Sequence, residues 1–194
     1  MKTLAISSRT ICGIEELPAH SETGVTHVLS IIDPGHPDIH HFEAFSKHLR
    51  TTLRFHDIID PLPGQIMPAK EHVGAILAFG DQLDKGAVEG TAGHLLVHCH
   101  MGISRSTAAM VTLMAQGDPT AGEEELFERL RQIRSKAWPN SVMIAYADEK
   151  LGRGGRLVEA LRRHYGHQLK HKPEYGQWMR ELKRGREVEM ALPA

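Results

Sequence analysis

The chain has 194 residues, 41% of them apolar, and its 23 Lys and Arg face 24 Asp and Glu for a formal net charge of −1. That length suits one α/β domain with a modest extension, and the even charge balance gives no reason to expect nucleic acid or a membrane surface as partner. The 2 cysteines, Cys12 and Cys99, are too few for a disulfide framework and suit a reducing compartment. Residues 1–9 lack the apolar run of a signal peptide and no stretch is long enough to span a bilayer, so the expected location is the cytoplasm.

In chain order, Leu4 to Ser7 and Thr10 to Cys12 are candidate strand pieces leading into Gly13. Cys12 reads as a small buried apolar residue, with a redox partnership to Cys99 as the alternative. Gly24 to Ile32 is a nearly all-apolar central strand, closed by Asp33-Pro34-Gly35. The turn-rich stretch that follows carries His36, His40 and His41, which read as surface loop residues because no Cys or carboxylate stands at metal-ligand spacing. Phe42 to Leu49 predicts a short helix with Phe42, Phe45 and Leu49 on one side. Leu53 to Asp57 alternates like a strand and ends in a carboxylate, and Asp60 to Pro68 is a loop. Ala69 to Leu83 predicts an amphipathic helix with Val73, Ile76, Leu77 and Leu83 on one stripe, and Lys85 to Gly93 a flexible connection. A right-handed crossover through that helix returns the chain to a parallel strand.

That strand is His94 to Val97, and a core helix from Thr107 to Ala115 follows it. Between them stands His98-Cys99-His100-Met101-Gly102-Ile103-Ser104-Arg105-Ser106. A loop that ends at a helix start turns unpaired backbone N–H groups inward, where they cradle an anion such as phosphate. Helix N-termini and neighbouring cations favour the thiolate form of a cysteine, which makes Cys99 a candidate nucleophile. Arg105 keeps its charge and can bind two phosphoryl oxygens side by side. A zinc site on His94, His98, Cys99 and His100 does not match the spacing of tetrahedral pairs.

The loop resembles that of the cysteine-dependent protein phosphatases, His-Cys-x-x-Gly-x-x-Arg-Ser/Thr, and most closely that of the dual-specificity group. Gly24-Val25-Thr26-His27-Val28-Leu29-Ser30 is similar to the Gly-Ile-Thr-His-Val-Leu-Asn segment of the same family, and Pro139-Asn140 with the following helix is a further likeness. The resemblance implies an α/β fold with a central, mostly parallel sheet flanked by helices. It implies that Cys99 attacks phosphorus and that Arg105 and the loop from His100 through Met101, Gly102, Ile103 and Ser104 bind the phosphoryl group. It further implies that His98 supports the loop and that Ser106 stabilises the departing sulfur. Asp57 takes the general-acid role, with Asp60 as the alternative acid. No cofactor and no metal is expected.

After the break at Gly117-Asp118-Pro119, Thr120-Ala121-Gly122-Glu123 predicts a capping box before a helix bearing Leu126, Phe127, Leu130 and Ile133. Asn140 is a candidate N-cap for a helix running to about Leu151. Beyond Gly152 the chain departs from the family: Leu157, Val158, Leu161 and Tyr165 predict a packed helix, and Trp178 and Met179 anchor a last one. The expected division is a phosphatase domain over 1–165 and a basic helical extension over 166–194, read as a tail covering the core rather than an anionic docking surface. The functional expectation is a protein tyrosine or dual-specificity phosphatase acting on a phosphorylated protein or peptide. A phosphatase of a small phosphorylated metabolite or nucleotide, a non-catalytic phospho-ligand-binding module, and a reductase using Cys12 as resolving thiol are the alternatives.

Overall fold

The computed structural model describes residues 6–83 and 93–193; Leu4 and Ala5 of the first strand piece, and the connection from Lys85 to Ala92, lie outside the described residues. Four strands, β1 (Ile6–Cys12), β2 (His27–Ile32), β3 (Leu49–Arg54) and β4 (Gly93–His98), form a wholly parallel sheet in the order β1-β4-β2-β3. The two central strands are buried along their whole length, which is why they read as continuous apolar runs instead of alternating ones. Alternation survives as a division between faces. Leu29, Ile31, Leu95 and Val97 join the large core under the helices, and Val28, Ile32 and Leu96 join a smaller core with Cys12, Leu17, Ile39 and Phe42.

The helices that cover the large core are α1 (Lys70–Gly80), α2 (Arg105–Gly117), α3 (Glu123–Ile133), α4 (Ser141–Lys150) and α5 (Arg156–His171), followed by α6 (Glu174–Glu181) and α7 (Gly185–Glu189). The apolar α2 is buried from Arg105 to Ala115. The smaller core is closed by two 3₁₀ helices, Ile14–His20 and His40–Ala44.

Several local expectations need correction. No α-helix spans Phe42 to Leu49; only the 3₁₀ turn at His40–Ala44 forms, because Phe42 and Phe45 pack on each other while Leu49 already opens β3. β3 accordingly ends at Arg54, so Phe55, His56 and Asp57 lie just past its carboxyl end rather than within it. The stripe of α1 buries Phe79 together with Val73 and Ile76, and leaves Leu77 half-exposed. The capping box at Thr120 does not form: Gly122 caps α3, and Thr120 Oγ1 donates to Asp118 instead.

The start of α5 shows how the C-terminal half is tied down. Gly155, at its N-cap, has no side chain to offer, and the buried Asp148 of α4 fills the gap, its carboxylate accepting from Gly155 N at 2.6 Å and Leu157 N at 2.8 Å. Arg153 is likewise buried, donating to the Ala115, Asp118 and Ala121 carbonyls and paired with Glu123 at 3.1 Å, so its charge is spent inside the fold. The expected division at residue 165 falls inside α5, whose buried residues continue to Gln168, and Tyr175 and Met179 of α6 join the same core. Replacing Asp148→Ala should remove a two-point cap and leave the buried Leu157 N–H unpaired, a loss of about 1–3 kcal/mol read by urea denaturation. An unchanged denaturation midpoint would show that α5 does not depend on that cap.

Candidate active site

All four strands point their carboxyl ends at one edge, where ligands bind in parallel α/β sheets. Gly13 follows β1, Asp33 follows β2, Asp57 lies three residues past β3, and Cys99 follows β4. Topology alone therefore gathers a thiol and two carboxylates from segments far apart in sequence. Cys99, His100, Met101, Ile103, Ser104 and Arg105 line a cavity of about 350 Å³ together with Asp33 and Asp57.

The loop after Cys99 is held from outside by its carbonyls. His100 O accepts from Ile14 N at 3.0 Å, Met101 O and Gly102 O from Arg134 at 2.9 Å each, Ile103 O from Trp138 N at 2.8 Å, and Ser104 O from Ala108 N at 3.0 Å. With every carbonyl directed outward, the N–H groups of residues 100–104 find no acceptor among the described residues. Gly102 makes the turn with φ +67°, and a Cβ there would lie 2.6 Å from the Cys12 carbonyl oxygen, so glycine is required both for conformation and for space. Arg134 is itself fixed by Glu16 at 2.6 Å. Burial opposes the Glu16 charge, but hydrogen bonds from Arg134 and Gly13 N–H outweigh it and bring that carboxyl down to about 2.

Cys99 Sγ lies 3.2 Å from Ser106 Oγ at the first turn of α2. Arg105 is buried, with Nη1 donating to Asp33 Oδ1 at 2.6 Å and to Phe55 O at 2.5 Å, while its Nε is buried without a partner among the described residues. His98 Nε2 pairs with Ser30 Oγ at 2.7 Å across the sheet, and burial lowers its pKa to about 4, so the ring is neutral. His100 reaches further than a variable loop residue: its Nε2 accepts from Asp33 N at 3.3 Å and its ring packs edge-on against His36, 4.9 Å between centroids. Burial, and then the Arg105 charge, hold its pKa below the ordinary value.

Asp57 and Asp60 differ in place. Asp60 is exposed and paired with Arg186 at 3.0 Å, away from the cavity. Asp57 lines the cavity, and its Oδ1 accepts from Ser104 Oγ at 2.6 Å, Asn140 Nδ2 at 3.1 Å and Arg184 Nη1 at 3.2 Å. Burial works against its charge, but the Arg184 and Arg105 guanidinium groups and the Ser104 and Asn140 hydrogen bonds prevail and hold the carboxyl below the usual range. Asn140 serves twice, since its Oδ1 also caps α4 by accepting from Val142 N and Met143 N.

The sequence places Asp33 in a turn-rich stretch able to line the pocket but gives its carboxylate no role; its signal is its position at the carboxyl end of the central strand, the same position that Cys99 holds after β4. Arg184 was missed as well, and its separation of 127 residues from Asp57 left no local signal. Trp178 and Met179, expected to anchor a last helix over the core, also wall the cavity, together with Leu182.

No family model matches the sequence and no curated protein matches it. Solved structures do: the phosphatase domain of Yvh1 from Chaetomium thermophilum is 24% identical with a TM-score of 0.50, covering 77% of this chain and 93% of that one. Human DUSP28 is 17% identical with a TM-score of 0.54 over 79% of this chain and 96% of that one. PTP-2 phosphatase of Cydia pomonella is 14% identical with a TM-score of 0.54 over 74% and 86% respectively. The chain thus has the α/β fold of the dual-specificity phosphatase domains.

Both cysteines are buried, and they differ in what they face. Burial, reinforced by the Glu16 charge, pushes the Cys12 thiol up to about 12, whereas Cys99 opens onto the cavity beside a helix N-terminus. Iodoacetamide at pH 7 should alkylate Cys99 and label Cys12 at least about a hundredfold more slowly, as read by peptide mass spectrometry. Equal labelling of the native protein would contradict the burial of Cys12.

Proposed function

We propose that the chain is a phosphoric monoester hydrolase of the cysteine-dependent phosphatase type, acting on phosphotyrosine in proteins or peptides. The observation that carries the reading is the loop itself: among the described residues the N–H groups of residues 100–104, which follow the Cys99 thiol in the chain, have no acceptor, and neither has the buried Arg105 Nε. A phosphoryl group supplies the acceptors these donors lack.

The chemistry follows in two balanced steps. The Cys99 thiolate attacks phosphorus, the ester P–O bond breaks, and Asp57 gives its proton to the departing oxygen. A water then attacks the cysteinyl phosphate, Asp57 takes back a proton, the P–S bond breaks, and Ser106 donates a hydrogen bond to the leaving sulfur at the 3.2 Å separation seen here. Arg105 and the loop N–H groups stabilise the equatorial oxygens throughout. Asp33, bonded to Arg105 Nη1, fixes the plane of the guanidinium and leaves its Nε edge for substrate.

An aromatic ester fits the walls of the cavity. Ile58, Met101, Trp178, Met179 and Leu182 are apolar, and Met101 and Leu182 are among the exposed large apolar side chains of the protein. A phenyl ring buried there gains apolar contact, and the polar lining beyond the loop is Asp33, His56, Asp57, Gln65 and Arg184. The loop also lacks the Lys of the inositol-lipid phosphatases it resembles.

Phosphate release from an aryl phosphate and a phosphotyrosine peptide tests the reading, with phosphorylated sugars and nucleotides as comparison substrates. Cys99→Ser should lower kcat by about 10⁴-fold or more, and Asp57→Asn by about 10²–10³-fold, while Asp60→Asn should stay within about twofold. A wild-type protein inactive on both aryl substrates, or one preferring a sugar phosphate, sinks the phosphotyrosine assignment.

A further inference from the structure

The C-terminal segment enters the site through one residue. Arg184, in the turn between α6 and α7, is buried, and its Nη1 donates to Asp57 Oδ1 at 3.2 Å and to Ser104 Oγ at 2.6 Å. Ser104 in turn donates to the same Oδ1 at 2.6 Å, so the guanidinium, the loop hydroxyl and the carboxylate close a triangle. The far side of Arg184 is gripped by Glu187, Nε to Oε2 at 2.7 Å and Nη2 to Oε1 at 2.9 Å. Glu187 is wholly buried and also accepts from Trp138 Nε1 at 2.7 Å and Ser141 N at 2.8 Å. All three donors to Asp57 reach Oδ1, and Oδ2 has no partner among the described residues.

We propose that Arg184, braced by Glu187, is a positioning residue for Asp57: the C-terminal segment completes the active site by holding one carboxylate oxygen fixed and leaving the other to exchange the proton with substrate and water. This rests on the phosphatase reading above. A carboxylate that must donate and then retake a proton in successive steps needs one oxygen anchored and one free, and the triangle provides that division. The same contact sets when the group titrates. The charges facing Asp57 are Arg184 from the α6–α7 turn, Arg105 from α2 and His100 from the loop, with Tyr165 of α5 and Glu187 of α7 behind Arg184. Arg184 heads the forces that hold the carboxyl low, and it is itself kept charged against burial by Glu187 and Asp57. Because the acid must be protonated in the first step, a lowered Asp57 places the descending limb of the kcat/KM profile on the acid side. Loosening the brace moves that limb upward.

Removing Arg184 alone would strand Glu187 as a buried unpaired charge, so the decisive variant neutralises both. In Arg184→Gln/Glu187→Gln, carbon-13 NMR titration of the Asp57 carboxyl, assigned by its loss in Asp57→Asn, should rise by about one pH unit or more. The descending limb for an aryl phosphate should rise with it, and kcat should fall about tenfold or more because the carboxylate is no longer aligned. Arg184→Lys should restore most of the wild-type titration. Cys99 alkylation should stay within about threefold of wild type in every variant, which shows that the loop remains folded. An Asp57 titration that does not move overturns the inference whatever the activity, and so does a uniform gain of activity at all pH values, the mark of an obstructing segment. Failure of the phosphatase reading looks different: the wild type then releases no phosphate, or Asp57→Asn leaves the profile intact, and the positioning role falls with it.

Discussion

The site depends on where the carbonyls of one short loop are sent. A turn of five residues exposes five acceptors and five donors, and a cradle for an anion forms only if the acceptors are all drawn away. Here Ile14 N, Arg134, Trp138 N and Ala108 N take them, and these donors come from the end of β1, from beyond α3 and from α2. The loop is therefore shaped by elements whose own burial depends on the two cores, and its geometry is as rigid as the packing behind it. Gly102 is the point of closest approach, its backbone lying on that of Cys12, so β1 serves as the floor against which the loop is pressed.

The sheet and the loop position of Cys99 were legible because each rests on local pattern. Continuous apolar runs mark β2 and β4 as central strands, and a thiol between a buried strand and a buried helix reads as a loop at a sheet edge whatever surrounds it. The carboxylates were legible only in part. Asp57 could be ranked by its place after an alternating stretch, but its difference from Asp60 lies in three donors that come from residues 104, 140 and 184. Asp33 looked like a turn residue because Pro34 and Gly35 follow it; the turn exists, and the same backbone puts the carboxylate on Arg105.

Histidine contributes chemistry by its absence of charge. Of the 14 His in the chain, His27, His94, His98 and His164 are buried, and burial lowers His98 to about 4 and His164 to about 3, so these two act at neutral pH as hydrogen-bonding groups. His98 couples β4 to Ser30 of β2 one residue before Cys99, and His164 Nε2 approaches Ala137 O at 3.0 Å, next to the Trp138 whose N–H fixes the loop. A charge at either place would meet no carboxylate among the described residues. Burial removes the charge, and the hydrogen bond that remains is directional.

The C-terminal segment reaches the cavity as well as the core. Its residues supply apolar wall and a guanidinium to the same cavity, and its one fully buried acid, Glu187, takes the Trp138 indole N–H and the Ser141 backbone N–H at the start of α4. Trp138 stacks on Tyr165 of α5 at 4.4 Å between centroids, so the loop, α4, α5 and α7 meet around one indole ring. An ion pair this deep contributes little net stability over an apolar pair of the same shape, because both charges must leave water. Its value is in direction. Two apolar side chains at 184 and 187 would fill the same volume, but neither could aim a hydrogen bond at Asp57 Oδ1, and the carboxylate would be left with Ser104 and Asn140 alone.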